Sequence, residues 1–254
     1  MSSSQHQKTG PDGRAFDLNI EKILENWETY HAVREVIANA IDEEVLSGTK
    51  PIRIFEQSGA WHIRDYGRGL RYEHLTQKEN EEKLNDPCVI GKFGIGLKDA
   101  IATFDRRKVK VVIRSRHGDI TVGKSEKHGF RDLVTLHAYV NPPSDQKLDG
   151  TEVILTGCID EDIRKAKDLF LRFSGERVVE ETKDGQVLAK RESTARIYVN
   201  GVKVAEEENF LFSYNITSLN RAIKRALNRE RTNVGRSAYT DRVRRGFNHV
   251  ALNA

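Results

Sequence analysis

Cysteine is nearly missing from this 254-residue chain, which holds only Cys88 and Cys158. Two cysteines cannot build a disulfide framework, and these two lack the paired spacing of a zinc site. No apolar run approaches the roughly 20 residues needed to cross a bilayer. The opening MSSSQHQKTGPDGR lacks the hydrophobic segment of a secretory signal. The eight histidines show no metal-ligand spacing. A Walker A loop, GxxxxGK[ST], is absent, and so is a Rossmann glycine fingerprint led by a strand. No internal repeat and no long linker stand out. These absences point to a reducing intracellular location, cytoplasmic or nuclear, with no membrane as a partner.

What is present fits a globular protein. The chain is 37% hydrophobic and 31% charged, and 28.9 kDa suffices for one substantial core or two small ones. The net charge of +4 is unevenly placed. Residues 221–250 carry nine Arg or Lys against Glu230 and Asp241, a local charge of +7, which leaves −3 for the rest. A basic end on a mildly acidic body suits an anionic partner such as nucleic acid through 221–245; a solvated helix face fits the same residues.

Periodicity predicts two helices between Ile20 and Ser47, the second over His31–Leu46 and stopped near Gly48. A hairpin follows, PIRIFE and AWHIRD around Ser58-Gly59. Residues 71–90 read as a polar loop with some helix, and helical spacing resumes at Leu97–Phe104. Strands are expected at Val109–Ser115, Asp119–Gly123, Leu133–Val140, Glu152–Thr156, Arg196–Val199 and Val202–Ala205, the last two joined at Asn200-Gly201. Asp160–Phe173 and Ser218–Arg231 read as helices. The order implies an α+β fold, with 1–13 a disordered leader, 14–215 one domain and 216–254 a basic helical extension.

Three stretches carry chemistry. In REVIANAID, Arg34–Asp42, Glu35 and Asn39 lie one turn apart beside an apolar face, with Asp42 three residues on. A carboxylate can take a proton from water and an amide oxygen suits Mg2+, although a solvated helix edge also fits. In IRDYGRGL, Asp65 precedes Gly67 and Gly69; a carboxylate there can accept from an adenine amino group, and a tight turn with an Asx bond fits equally. In IGKFGIGLKDAIA, Gly91, Gly94 and Gly96 precede a helix starting near Leu97, whose free N–H groups suit phosphate, with Lys92 and Lys98 adding charge. A glycine hinge explains the glycines but not the helix.

In order, ExxxNAxD, DxGxGL, GxxGxGLxxA and DGTEV at Asp149–Val153 resemble the four signature boxes of the GHKL ATPases. That superfamily includes gyrase B, the ninety-kilodalton heat-shock chaperones, MutL, sensor histidine kinases and MORC proteins. The resemblance covers about residues 30–157, and the lid wording is closest to the MORC and heat-shock chaperone branches. It implies a two-layer Bergerat-type fold, a mixed and mostly antiparallel sheet with helices on one face, that binds Mg2+ and ATP.

By that resemblance Glu35 matches the general base, Asn39 the Mg2+ ligand and Asp42 the acid closing the first box. Asp65 matches the adenine-reading carboxylate, with Gly67 and Gly69 shaping its pocket. Gly91, Gly94 and Gly96 match the end of a mobile lid, and Thr151 the hydroxyl supporting the adenine-binding Asp. A Glu at position 35 favours hydrolysis over histidine-kinase chemistry. Slow ATP hydrolysis, with lid closure driving homodimerisation or engagement of a partner or DNA, is the expected activity. The alternative is a nucleic-acid-binding or scaffold module with a degenerate pocket.

Overall fold

The computed structural model describes residues 14–18, 26–76, 90, 96–127, 130–221, 223 and 236–251. The chain divides into two compact units, residues 1–84 with 91–163, and residues 85–90 with 164–254. The boundary near Ile163 falls inside the span 14–215 that the sequence suggests is one domain, because the strands beyond it build a sheet of their own.

The first unit holds β1 (Arg14–Asp17), α1 (Thr29–Ser47), β2 (Arg53–Gln57), β3 (Ala60–Arg64), α2 (Glu73–Thr76), α3 (Gly96–Arg106), β4 (Lys110–Ser115), β5 (Gly118–Lys127), β6 (Phe130–Asn141) and β7 (Thr151–Thr156). Its seven strands run β1-β6-β5-β4-β7-β3-β2. Every neighbouring pair among the described strands is antiparallel, where a mixed and mostly antiparallel sheet was expected. Strand alternation puts Ile63, Val111, Ile113, Val153 and Leu155 on one buried face, and α1 and α3 pack there. The two-residue turn between β2 and β3 has positive φ at Ser58 (54°) and Gly59 (76°), the primed geometry that matches strand twist.

The helix α1 answers the expected second helix of the N-terminal region. The Glu28 N–H at its start donates to His31 Nδ1 at 3.0 Å. It ends where Gly48 takes the left-handed conformation, φ 60°, with its N–H turned back to Val45 O. Ala32, Val33, Val36, Ile37 and Ala40 form its core face. The helix expected nearer Ile20 lies largely outside the described residues, as does most of 218–231.

The second unit holds β8 (Val178–Thr182), β9 (Gly185–Leu188), β10 (Ala195–Val199), β11 (Val202–Glu207) and β12 (Ser213–Ile216), in the order β11-β10-β12-β9-β8. Among the described residues only β10 with β12 is a parallel pair. The helix predicted over Asp160–Phe173 is two pieces, α4 (Asp160–Asp168) and α5 (Leu171–Ser174), broken at Phe170, which is extended and bridges to Val202. A final helix, α6 (Arg236–Ala251), puts Ala238, Tyr239 and Val243 into one core with Ile197, Val199, Tyr214 and Ile216. The Tyr239 hydroxyl donates to Glu207, and Arg242 Nη2 reaches Asp184 Oδ1 at 2.7 Å. Among the described residues no helix is long and apolar enough to cross a membrane. The architecture is α+β, with antiparallel pairing dominant.

Candidate functional site

The α1 residues Glu35, Asn39 and Glu43 recur every fourth position and so form one stripe, about 12 Å from first to last Cα at 1.5 Å per residue. Two glycines from other segments close on its ends.

At one end stands Glu35, 4% exposed. Arg34, also buried, donates Nε to Glu35 Oε1 at 3.0 Å, its Nη2 lies 2.9 Å from the same oxygen as an ion pair, and its guanidinium lies 5.2 Å from the centre of the Trp27 ring. The other carboxylate oxygen faces Gly96, the first residue of α3. A Cβ built on Gly96 would lie 2.2 Å from Glu35 Oε2, so this position has no room for a side chain unless the carboxylate moves. The glycine therefore lets the first turn of α3, with its positive dipole end, stand directly against an acid.

At the other end Glu43 meets the Asp-Tyr-Gly-Arg-Gly turn. Arg68 donates its backbone N–H and its Nε to Glu43 Oε1, both at 2.8 Å, and Nη2 to Oε2 at 3.0 Å. Ser47 Oγ adds a bond of 2.8 Å to Oε1. Burial opposes ionisation of Glu43, but the Arg68 and Ser47 hydrogen bonds and the Arg68 charge outweigh it, lowering its carboxyl to about 2. A Cβ on Gly67 would come within 2.4 Å of Glu43 Cγ, so the turn touches the helix through bare backbone.

Asp65 sits just beyond β3 and is 5% exposed. Its Oδ1 accepts from Gly67 N at 2.9 Å and from Thr151 N at 3.1 Å, and its own N–H donates to Thr151 O at 3.0 Å. The first of these is the Asx bond that the sequence allows; both amides converge on Oδ1. Burial pushes the Asp65 carboxyl above its ordinary value, opposed by those amides and by Thr151, and assisted by the negative charge of Glu43. Thr151 Oγ1 accepts from Leu70 N at 2.9 Å, and Ser115 Oγ donates to Leu70 O at 2.6 Å. Gly69, at φ 84°, completes the turn, and His117 Nε2 lies 3.1 Å from Arg68 O.

The structure thus gathers Glu35, Asn39, Gly96, Gly67, Asp65 and Thr151 around α1 and the adjoining ends of β3 and β7. Leu97 follows Gly96 in the first turn of α3 and is partly buried. Asp42 is fully buried within α1, and its neighbour Glu43 is the acid against the glycine turn. Gly91, Lys92 and Gly94 lie outside the described residues. Sequence reasoning missed Arg34, Glu43, Arg68 and Ser115. Glu43 was within reach, since it repeats the four-residue step from Glu35 to Asn39; the others are fixed by side-chain directions that no local pattern reports.

A protein of Mycoplasma pneumoniae described as uncharacterized is 40% identical over 236 residues, which cover 91% of this chain and 95% of that protein. A second uncharacterized Mycoplasma pneumoniae protein is 32% identical over 106 residues, 41% of this chain and 30% of the relative. The family model described as the Mycoplasma pneumoniae MPN635 N-terminal domain matches residues 161–249, beyond the last of the site residues above.

Proposed function

We propose that this chain, which belongs to the same protein family as its 40%-identical Mycoplasma pneumoniae relative, binds Mg2+–ATP and hydrolyses it slowly through a GHKL, Bergerat-type pocket. The observation that carries the reading is the α1 stripe, with Glu35 against Gly96 at one end and Glu43 beside the Asp65 turn at the other. A base-reading carboxylate and a water-activating carboxylate have to be held a nucleotide's length apart, and one rigid helix with its flanking turns is suited to that.

In this reading Asp65 keeps Oδ1 on the Gly67 and Thr151 amides and offers Oδ2 to the adenine amino group. Guanine has an oxygen there, so the carboxylate would reject it. Glu35 orients the attacking water and takes its proton, while Arg34 fixes the carboxylate's direction. The first turn of α3, with Gly91, Gly94 and Lys92 as the resemblance implies, supplies N–H groups and charge to the phosphates.

The donor set fits a magnesium ion that arrives with its nucleotide. Among the described residues no three His, Cys, Asp or Glu side chains gather as a metal site. Asn39 contributes one neutral oxygen, and Mg2+ commonly takes its remaining ligands from phosphate and water. Held by Asn39 and the phosphates, such an ion would supply positive charge to offset that of the phosphoryl group.

Isothermal titration with a non-hydrolysable ATP analogue tests binding, and phosphate release tests turnover. Millimolar ATP without heat or turnover would end the proposal. The second reading, a nucleic-acid-binding or scaffold module with a degenerate pocket, draws on Arg34, which already occupies one oxygen of the presumed base. Binding of ATP with no turnover by the parental protein would favour that reading. Lid closure that drives homodimerisation is part of the first reading, and light scattering with and without the analogue reads it directly.

A further inference from the structure

The face of the first sheet turned away from α1 and α3 carries an arrangement that the nucleotide reading does not use. Arg53 of β2 stands directly opposite Arg64 of β3 in the antiparallel register. Like charges placed so are destabilising unless something neutralises them. Among the described residues, Lys50, Arg53 and Arg64 pair with no carboxylate. Glu152, across from Arg64 on β7, gives its carboxylate to His62 Nδ1 at 3.1 Å instead.

Each cation lies over an aromatic ring. Arg53 Cζ is 4.9 Å from the Phe55 centroid, Arg64 Cζ 5.1 Å from that of Tyr66, and Lys50 Nζ 3.9 Å from the same ring. Phe55 also stacks on His62 at 4.9 Å, with 15° between the planes. Arg64 Nη2 makes a long bond to Asp149 O, 3.4 Å, and Nε is buried with no acceptor. Since β2 is an outer strand, one charge there would protect the edge from pairing. Edge protection does not account for three cations on two rings, with two of them opposed.

We propose that this patch, Lys50, Arg53, Phe55, Arg64 and Tyr66, is a binding surface for single-stranded nucleic acid. Lys50, just before β2, and Arg64 share the Tyr66 ring, and Arg53 stands opposite Arg64 over a second ring, so three positive charges without carboxylate partners among the described residues lie close together, more than one phosphate needs and suited to successive phosphates of a chain. Guanidinium groups held over rings offer cationic surfaces against which unpaired bases can stack, with no need of a particular sequence. A strand of either sugar supplies both elements, negative charge and π faces. The proposal does not rest on the ATP reading.

The test is fluorescence anisotropy of a short dye-labelled oligo-dT over a salt series, with circular dichroism to check that each variant is folded. R53A/R64A is expected to weaken binding at least about tenfold and to flatten the slope of log K against log salt by about 1.4, at about 0.7 per lost phosphate contact. F55L/Y66L keeps the charges, and should cost more affinity for oligo-dT than for an abasic strand of equal length. The gentler R53Q reports the same direction should the double variant unfold. Unchanged binding by R53A/R64A, with loss instead in K224Q/R225Q, would overturn the proposal. So would equal loss for oligo-dT and abasic strand in F55L/Y66L, or tighter binding of duplex or of a polyglutamate peptide than of oligo-dT.

Discussion

Gly96 faces the carboxylate of Glu35 so closely that a Cβ on the glycine would lie 2.2 Å from Oε2. The obstructing atom is the far end of a side chain, so the fold can yield where the chemistry cannot. G96A should cost about 1 kcal/mol of stability, at the low end for overpacking. Under the proposed mechanism it displaces the base by a fraction of an ångström or more, and kcat should fall about 100-fold with little change in KM. Steady-state kinetics beside urea unfolding separates the two effects. Retained kcat in a folded G96A protein would mean that Glu35 does not act on water.

Arg34 and Glu35 are both buried and bonded to each other, which makes either one expensive to remove alone. R34A should destabilise the protein by about 3–5 kcal/mol, because it strands a buried carboxylate. The double variant R34M/E35L should recover most of that loss, since a well-packed apolar pair replaces a buried ion pair at little net cost. Urea denaturation of the three proteins gives the comparison. For activity tests E35Q is the better probe than E35A, because it keeps a hydrogen-bonding group beside Arg34. E35Q should bind the ATP analogue normally and show no turnover, as read by titration and phosphate release.

Glu43 makes the site acid-sensitive. Its carboxyl falls from an ordinary 4.5 to about 2 in the folded protein, against the opposing effect of burial, through Arg68 and Ser47. A depressed pKa stabilises the folded state above the unfolded value and loses that contribution as pH falls toward the folded one. Parental protein should therefore exceed E43Q in stability at pH 7, and the gap should close between about pH 4.5 and 2. Thermal melts of both proteins across that range check it. A gap that stays constant with pH would show that the Glu43–Arg68 clasp acts through shape and not through charge.

Much of the first unit was legible because its signals are local. The apolar spacing of Ala32 to Ala40, the left-handed stop at Gly48 and the Ser58-Gly59 turn each follow from a few neighbouring residues. The order of the acid, amide and glycine motifs was also plain in the chain. The second sheet was not fully legible, because Val178–Thr182 and Ser213–Ile216 are short and rich in polar groups. The latter is buried at every position, and its parallel pairing with β10 is a long-range choice. In α6 the arginines hide the apolar set Ala238, Tyr239 and Val243, so a core helix reads as part of a basic tail. Glu43 was within reach but passed over, since Asp42 fits the first box in spacing while Glu43 reaches the glycine turn.

Asp65 offers the sharpest separation of folding from recognition. Burial raises its carboxyl above the ordinary 3.8, against the Gly67 and Thr151 amides. A raised carboxylate pKa favours the fold below the unfolded value, and that contribution disappears as pH rises through the folded value. At pH 7 the ionised, buried Asp65 is thus a burden on stability that Asn would not impose. The amide oxygen of Asn can still accept from both backbone N–H groups, so D65N should match or exceed parental stability at pH 7 and lose that advantage below about pH 4. Yet its NH2 group would face the adenine amino group donor to donor. ATP affinity should drop on the order of 100-fold, as when a site built for one hydrogen bond meets its opposite. Paired thermal melts and titrations with the ATP analogue decide the matter: a D65N protein that is stable and binds ATP like the parent would remove Asp65 from the pocket.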